Sequence, residues 1–349
     1  MYPDASSPGY GVFVKNMVEG LDNYGIHVEC SALKAGRYTN KLLKIVKYIK
    51  FYILICIGFF KKYDAIYIHF PNHSLPVLLP LLAIKKQRVI ANLHGEDLLY
   101  SGSLGTVLGK LNYRFLRKVE KIIVPSTYFK EEVLKRIGCK EDKIFVSPSG
   151  GIDNNLFYPI NNQSVKDKVC LGFVGRIDEG KGIKEFVEAI YLLNQQINCE
   201  AIVIGYGPYE NELSKLLEKL LLTEKVKVIK GVKQDKLCEY YNIFDLFLFL
   251  SNRKTESLGL VGIEAMACGT PVIGTNIGGI PSYLIDGFNG FLLPNRDVHS
   301  VVNAVLKFQA MSDDEKEIMC ENSLKTSQKY FKDTVSKELA QVFLKLKEI

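Results

Sequence analysis

The sequence predicts an α/β protein of two domains, each a parallel sheet with helices on both faces. Three observations carry that prediction. From Asp64 to Thr275, short apolar runs alternate with amphipathic segments, the pattern of repeated strand–helix units. The runs are apolar throughout, as in strands buried on both sides, where one-sided strands would alternate. Finally, 349 residues suffice for two cores, and the mid-chain stretch SPSGGIDNNLFYPINNQS, rich in Gly, Asn and Pro, reads as a linker. The expected division is 1–157, 158–325 and a terminal helix over 326–349.

Composition narrows the field. With 47% hydrophobic and 24% charged residues, the chain has the makeup of a globular protein. A net charge of +7 suits anionic ligands or an anionic membrane surface. No motif with interleaved aromatics points to nucleic acid. The eight cysteines are scattered without a C-x-x-C, which argues for free thiols and against a disulfide framework or zinc site. The start, MYPDASSPGYG, has neither the basic nor the apolar region of a signal peptide, and no apolar run reaches the ~20 residues of a membrane span. A cytoplasmic location is expected.

Taken in order, the opening segment reads as a Gly-containing loop (Gly9, Gly11), a helix over Val12 to Tyr24 and then a strand. From Cys30 to Tyr63 the chain carries eight Lys or Arg and no acid. Lys41, Lys44, Lys47 and Lys50 recur at helical spacing with Leu42, Leu43, Ile45, Val46 and Ile49 between them. The apolar run Phe51 to Phe60 covers ~15 Å, half a hydrocarbon core. Such a segment either lies on an anionic bilayer or packs with a solvated lysine side. DAIYIHF, RVIANLH, KIIVPS and KIFVSPS then read as strands, with helices over Ser74 to Lys86, Leu104 to Val119 and Thr127 to Ile137. VCLGFVG, EAIVIG, VKVIKG, DLFLFL and PVIGT supply the second sheet, followed by a helix from Asp297 to Gln309 and a charged helical region to Lys347.

The candidate site centres on SNRKTESLGLVGIEAMACGTPVIG, Ser251 to Gly274. A strand end feeding a helix that starts near Leu260 is an anion site, because unpaired N–H groups point outward there. Glu256 and Glu264, with seven residues between them, flank that turn. A carboxylate beside a phosphate site suits a sugar diol, which donates two hydrogen bonds to it. In FVGRIDEGKG, Gly175 allows close backbone approach, and Arg176 and Lys181 are two cations able to clamp a diphosphate. IVIGYGPYENEL carries Gly205 and Gly207 but no third glycine, which is poor support for a dinucleotide site. No two aspartates stand two apart, so there is no D-x-D for a divalent cation, and neither metal nor cofactor is expected.

These motifs resemble those of the family 4 retaining glycosyltransferases, nucleotide-sugar enzymes of the GT-B fold. The resemblance rests on E-x7-E within TESLGLVGIEAMACGTPVIG, on GRIDEGKG, on the HGED loop and on the GYGP turn. It covers nearly the whole chain and is strongest from Gly175 to Leu293. It implies two Rossmann-like domains facing each other across a cleft, with the donor on the second and the acceptor on the first. In relatives an apolar strand precedes the first glycine loop, and here that strand is missing. By resemblance, Gly9 and Gly11 approach the donor diphosphate, and Arg176 and Lys181 hold the leaving group. Glu256, with His94, positions the transferred sugar and, with Ser257, Leu258, Gly259 and Leu260, lines the donor site, and Glu264 holds the ribose. Gly205 and Gly207 lie beside it, and the backbone near Val232 meets the base. His94 contacts the transferred sugar, with Asp97 and His69 on the acceptor side. His69 and His73 also read as a metal pair, but Pro71 breaks their spacing and no third ligand follows. The implied reaction is sugar transfer from a UDP- or GDP-sugar to a saccharide or lipid-linked saccharide in surface-polysaccharide synthesis, peripheral on the inner face of the plasma membrane. A GT-B epimerase or a non-catalytic nucleotide- or sugar-binding protein would share these motifs; product analysis separates them.

Overall fold

The computed structural model describes residues 2, 11–33, 41–99, 102–160 and 168–347. It divides into two units, Met1–Gly151 with Lys332–Ile349, and Ile152–Phe331. The first crossing falls at Gly151, ahead of the expected 157, and the second at Phe331, after the expected 325.

In the first unit, helix α1 (Val12–Asp22) is followed by α2 (Lys41–Phe60), β1 (Ile66–His69), α3 (Leu75–Ile84), β2 (Val89–Asn92), α4 (Gly102–Leu116), β3 (Lys121–Val124), α5 (Thr127–Ile137) and β4 (Ile144–Val146). The strands form one parallel sheet in the order β1-β2-β3-β4. Its interior is built by residues such as Val89, Phe115, Ile122 and Phe129. The strand expected after α1 is not formed. Residues 26–30 alternate apolar and polar side chains, but alternation alone supplies no partner, and among the described residues the segment pairs with no strand.

The lysines of α2 do not make one side of the helix. A three-residue spacing falls short of a turn by about 60° per step, so Lys44, Lys47 and Lys50 step around it. The packed side is instead aromatic and aliphatic, with Ile55 and Phe59 in the core.

The second unit holds β5 (Val169–Val174), α6 (Ile183–Leu193), β6 (Cys199–Ile204), α7 (Glu210–Lys219), β7 (Val226–Ile229), α8 (Gln234–Tyr241), β8 (Leu246–Phe249), α9 (Leu260–Ala267), β9 (Val272–Thr275), β10 (Gly290–Leu293), α10 (Val298–Gln309) and α11 (Asp313–Ser327). Its parallel sheet runs β10-β9-β8-β5-β6-β7. The crossover that sets β8 beside β5 brings their C-terminal loops together, the arrangement in which open α/β sheets place ligands. Strand β10 has no counterpart in the sequence reading.

The terminal helical region is not continuous. A 3₁₀ turn at Gln328–Tyr330 separates α11 from α12 (Lys332–Lys347), and α12 belongs to the first unit. It lies on α1 so closely that a Cβ at Gly20 would fall 2.0 Å from Ser336 Oγ. Leu339, Ala340 and Leu346 complete a small core with Leu21, Ile90 and Ile123.

Candidate functional site

In the second unit the site is assembled by backbone proximity. Gly205 closes β6 at φ 153°, and a Cβ there would lie 1.8 Å from the Gly175 carbonyl oxygen. A Cβ at Gly207 would lie 2.1 Å from the Ile177 carbonyl. Only glycines let the loops after β5 and β6 meet this way. That contact fixes where Arg176 starts and sets the exposed ring of Tyr206 beside Gly231.

Lys181 stands in the 3₁₀ turn Glu179–Lys181 after β5. Its ammonium donates to Glu256 Oε2 at 2.5 Å and lies 5.3 Å from the Phe249 ring centroid. Ser251 Oγ donates to the same carboxylate oxygen at 3.0 Å. Beside this pair, Asp178 Oδ1 accepts from Arg253 at 2.8 Å, and its Oδ2 lies 3.5 Å from Arg176 Nε. Three cations and two acids thus gather where β5 and β8 end. Each cation is already opposed by an acid, so an incoming diphosphate would find compensated charge that can be re-partnered instead of bare charge that repels folding.

Helix α9 begins one residue after Gly259, whose φ is 81° and whose missing Cβ leaves room for the Phe249 ring, 2.1 Å from where it would stand. Ser257, Leu258 and Leu260 belong to the same turn, with Leu258 in the core. Glu264 is one turn further on, fully buried, and its Oε2 accepts from Tyr241 Oη of α8 at 3.0 Å. Burial pushes this carboxyl up to about 7, against the lowering effect of the tyrosine bond. The two glutamates have different partners: Glu256 is tied to Lys181 and Ser251, whereas Glu264 is sunk against Tyr241. Val232 follows Gly231 and packs on the same core.

In the first unit, His94 follows β2. Its backbone N–H and that of Gly95 donate to Asp97 Oδ1 at 2.8 and 3.0 Å. Its ring packs on Phe70, stacked at 4.2 Å, and on Phe13 of α1 at 4.9 Å. His69 Nδ1 meets His94 Nε2 at 3.0 Å. Burial pushes His69 down to about 3 and holds His94 well below the ordinary imidazole range, so both rings are neutral at physiological pH. Burial pushes the Asp97 carboxyl up to about 7 despite the backbone N–H groups of His94, Gly95 and Asp97 that donate to it. His69 therefore joins His94. It does not pair with His73, which meets Tyr48 Oη at 3.1 Å. Among the described residues no group of three His, Cys, Asp or Glu is placed to hold a metal ion. Gly11 caps the start of α1 at φ 76°; Gly9 lies outside the described residues. A cavity of about 670 Å³ opens beside His69 and His73, walled by Ile26, Phe51, Phe59 and Phe343.

Two family models match the chain, Glycosyl transferases group 1 over residues 157–326 and Glycosyltransferase Family 4 over residues 9–153. The chain belongs to this glycosyltransferase family. Its curated relatives include N-acetyl-alpha-D-glucosaminyl L-malate synthase of Bacillus anthracis, 24% identical over 72% of this chain and 66% of that protein. Another is the amylovoran biosynthesis glycosyltransferase AmsK of Erwinia amylovora, 25% identical over 81% of this chain and 70% of that one. The chain thus spans about two thirds of the length of these relatives. Among solved structures, HepE of Anabaena in complex with UDP and glucose matches with a TM-score of 0.74, at 19% identity and over 98% of both chains. That likeness extends over the whole GT-B fold.

Within this glycosyltransferase the structure brings together Gly175, Arg176, Lys181, Gly205, Gly207, Glu256 and the α9 turn on one sheet edge, and His69, His94 and Asp97 on the other unit. Sequence reading missed Asp178, Ser251, Arg253 and Tyr241. Asp178 and Arg253 stand inside motifs already singled out, but their pairing spans 75 residues and becomes visible only with the strand order.

Proposed function

We propose that the protein transfers a sugar from a UDP- or GDP-linked donor to a hydroxyl of a saccharide or lipid-linked saccharide, with retention, in cell-surface polysaccharide assembly. One observation carries the donor side: Arg176, Lys181 and Arg253 converge with Glu256 at the ends of β5 and β8, beside the start of α9. As the diphosphate leaves, its growing charge is met by these cations and by the N–H groups of α9. The reading therefore calls for no divalent ion, and chelation should leave turnover unchanged. Lys181 moves from Glu256 to the phosphate, which frees that carboxylate for the sugar hydroxyls. Glu264 in its ionised form accepts the ribose diol. His94, being neutral, serves as a hydrogen-bond partner for a sugar hydroxyl and not as an acid. No side chain is assigned as base; in a front-face transfer the departing phosphate oxygen takes the acceptor's proton. AmsK, by its name, serves amylovoran synthesis and HepE was solved with UDP and glucose, which supports this donor and pathway class. A lipid-linked acceptor would place the reaction at the inner membrane surface.

The test is calorimetric titration of the full chain with UDP-, GDP- and ADP-sugars, repeated on Arg176→Ala. One nucleotide series should bind, and the variant should lose it. A folded chain that binds none of them, or a variant that binds equally well, would refute the donor assignment. Product analysis then distinguishes transfer from epimerisation.

A further inference from the structure

We propose that Arg296 is a positioning residue for the leaving group, acting on the diphosphate through Lys181 by holding the turn that carries it. The inference rests on the donor reading above and adds a residue from a third loop, the one between β10 and α10. Lys181 ends a single 3₁₀ turn, Glu179–Lys181, with glycine at 180 and 182. Glycine gives a turn conformational freedom that its own backbone does not restrain. Gly182 is required, since its φ is 77° and a Cβ there would stand 2.3 Å from the Leu250 carbonyl oxygen. What fixes this turn comes from outside it. The Asn252 N–H donates to the Gly180 carbonyl at 3.1 Å, and the Asn252 side chain, its amide nitrogen toward the same oxygen, donates at 3.2 Å. Arg296 Nη1 donates to the neighbouring Glu179 carbonyl at 2.6 Å.

The rest of the Arg296 fork ties that turn to its neighbours. Nη2 donates to the Asn252 amide oxygen at 3.1 Å, and Nε lies 3.1 Å from Glu185 Oε1 of α6. One guanidinium thus meets the turn, the helix that follows it and the loop after β8, which also carries Glu256. The side chains of Arg296 and Glu185 are 21% and 18% exposed, so water and salt screen this contact less than an open surface pair. Lys181 has to leave Glu256 to reach the diphosphate. A fixed turn lets its ammonium swing from a set origin, whereas a loose one would have to be ordered as the ligand binds. Lysine at position 296 would keep a positive charge beside Glu185. Its compact ammonium cannot serve three acceptors spread along a planar fork. A charge partner for Glu185 and a brace for the turn are therefore separable roles.

The experiment is calorimetric titration with UDP and with GDP of the full chain, of Arg296→Gln and Arg296→Lys, of Lys181→Ala, and of Lys181→Ala combined with Arg296→Lys. Whichever diphosphate the parent binds should lose about 10-fold in affinity in either Arg296 variant, with no rescue by lysine. On the Lys181→Ala background the Arg296 change should cost no more than about twofold, because the group it positions is gone. Melting curves check the fold, and Arg296→Lys carries the test if Arg296→Gln melts below the titration temperature. Parent-level binding by Arg296→Lys overturns the proposal, since charge beside Glu185 would then suffice. A full 10-fold loss on top of Lys181→Ala also overturns it, because Arg296 would be acting by a route other than Lys181. If both Arg296 variants unfold, the residue is a structural tie and the proposal falls. A parent that binds neither diphosphate removes the donor reading and this inference together, whereas tight binding that is indifferent to Arg296 removes this inference alone.

Discussion

Glu264→Gln separates function from stability at one atom. Below pH 4.5 the carboxyl is neutral in folded and unfolded chains, and its burial costs nothing extra. As pH rises, the unfolded chain ionises from 4.5 while the buried group holds its proton to about 7. Stability therefore falls across that window and stays low above it. At about 1.4 kcal/mol per pH unit the difference is about 3 kcal/mol. Glutamine keeps an acceptor for Tyr241 and carries no charge. It should stabilise the second unit by about 3 kcal/mol above pH 7 and by nothing at pH 4.5, apart from a pH-independent offset. By calorimetry that is a rise in Tm of roughly 6–12 °C. The same change removes the charged acceptor of the ribose diol, so donor affinity should fall about 10- to 100-fold. A difference in Tm between variant and parent that does not change with pH would refute the reasoning, because it would mean that Glu264 carries no ionisation penalty.

Three further outcomes are expected. Lys181→Ala should lower turnover at least about 100-fold with the fold intact; near-normal turnover would remove Lys181 from the leaving-group role. Gly205→Ala forces a Cβ onto the Gly175 carbonyl, so the second unit should melt lower, by at least about 1–3 kcal/mol, and lose donor binding; an unchanged melt would show that the two loops are not in contact. The imidazole C2–H signals of His69 and His94, assigned with His69→Asn and His94→Asn, should not move between about pH 5.5 and 8, since burial keeps both rings neutral; a titration in that range by either ring would contradict their placement.

Much of the fold was legible because local signals agreed with tertiary need. Helix α5 was bounded by Ser126 and by Gly138, whose φ of 65° lets it end the helix, and α9 by glycines at both ends. Strands β5 and β8 showed as apolar runs because both their sides are covered. Strand β10 was hidden: Gly290–Leu293 is four residues emerging from a Gly-Phe-Asn turn, too short to display a period. The residues after α1 failed in the opposite sense, with a strand-like alternation but no strand to pair with. In the site, the residue types were readable and the pairings were not. Lys181 and Glu256 are 75 residues apart, and what joins them is the place of β8 next to β5 in the sheet.

The first unit is completed by α12, which follows the second unit in the chain and lies across α1. A ribosome therefore releases the uninterrupted second unit, Ile152–Phe331, before the first can close. Until Leu339, Ala340 and Leu346 emerge, the cluster of Leu21, Ile90 and Ile123 lacks part of its cover. While the second unit is being made, the first is a nascent fold waiting for its lid, which exposes it to chaperones and proteases.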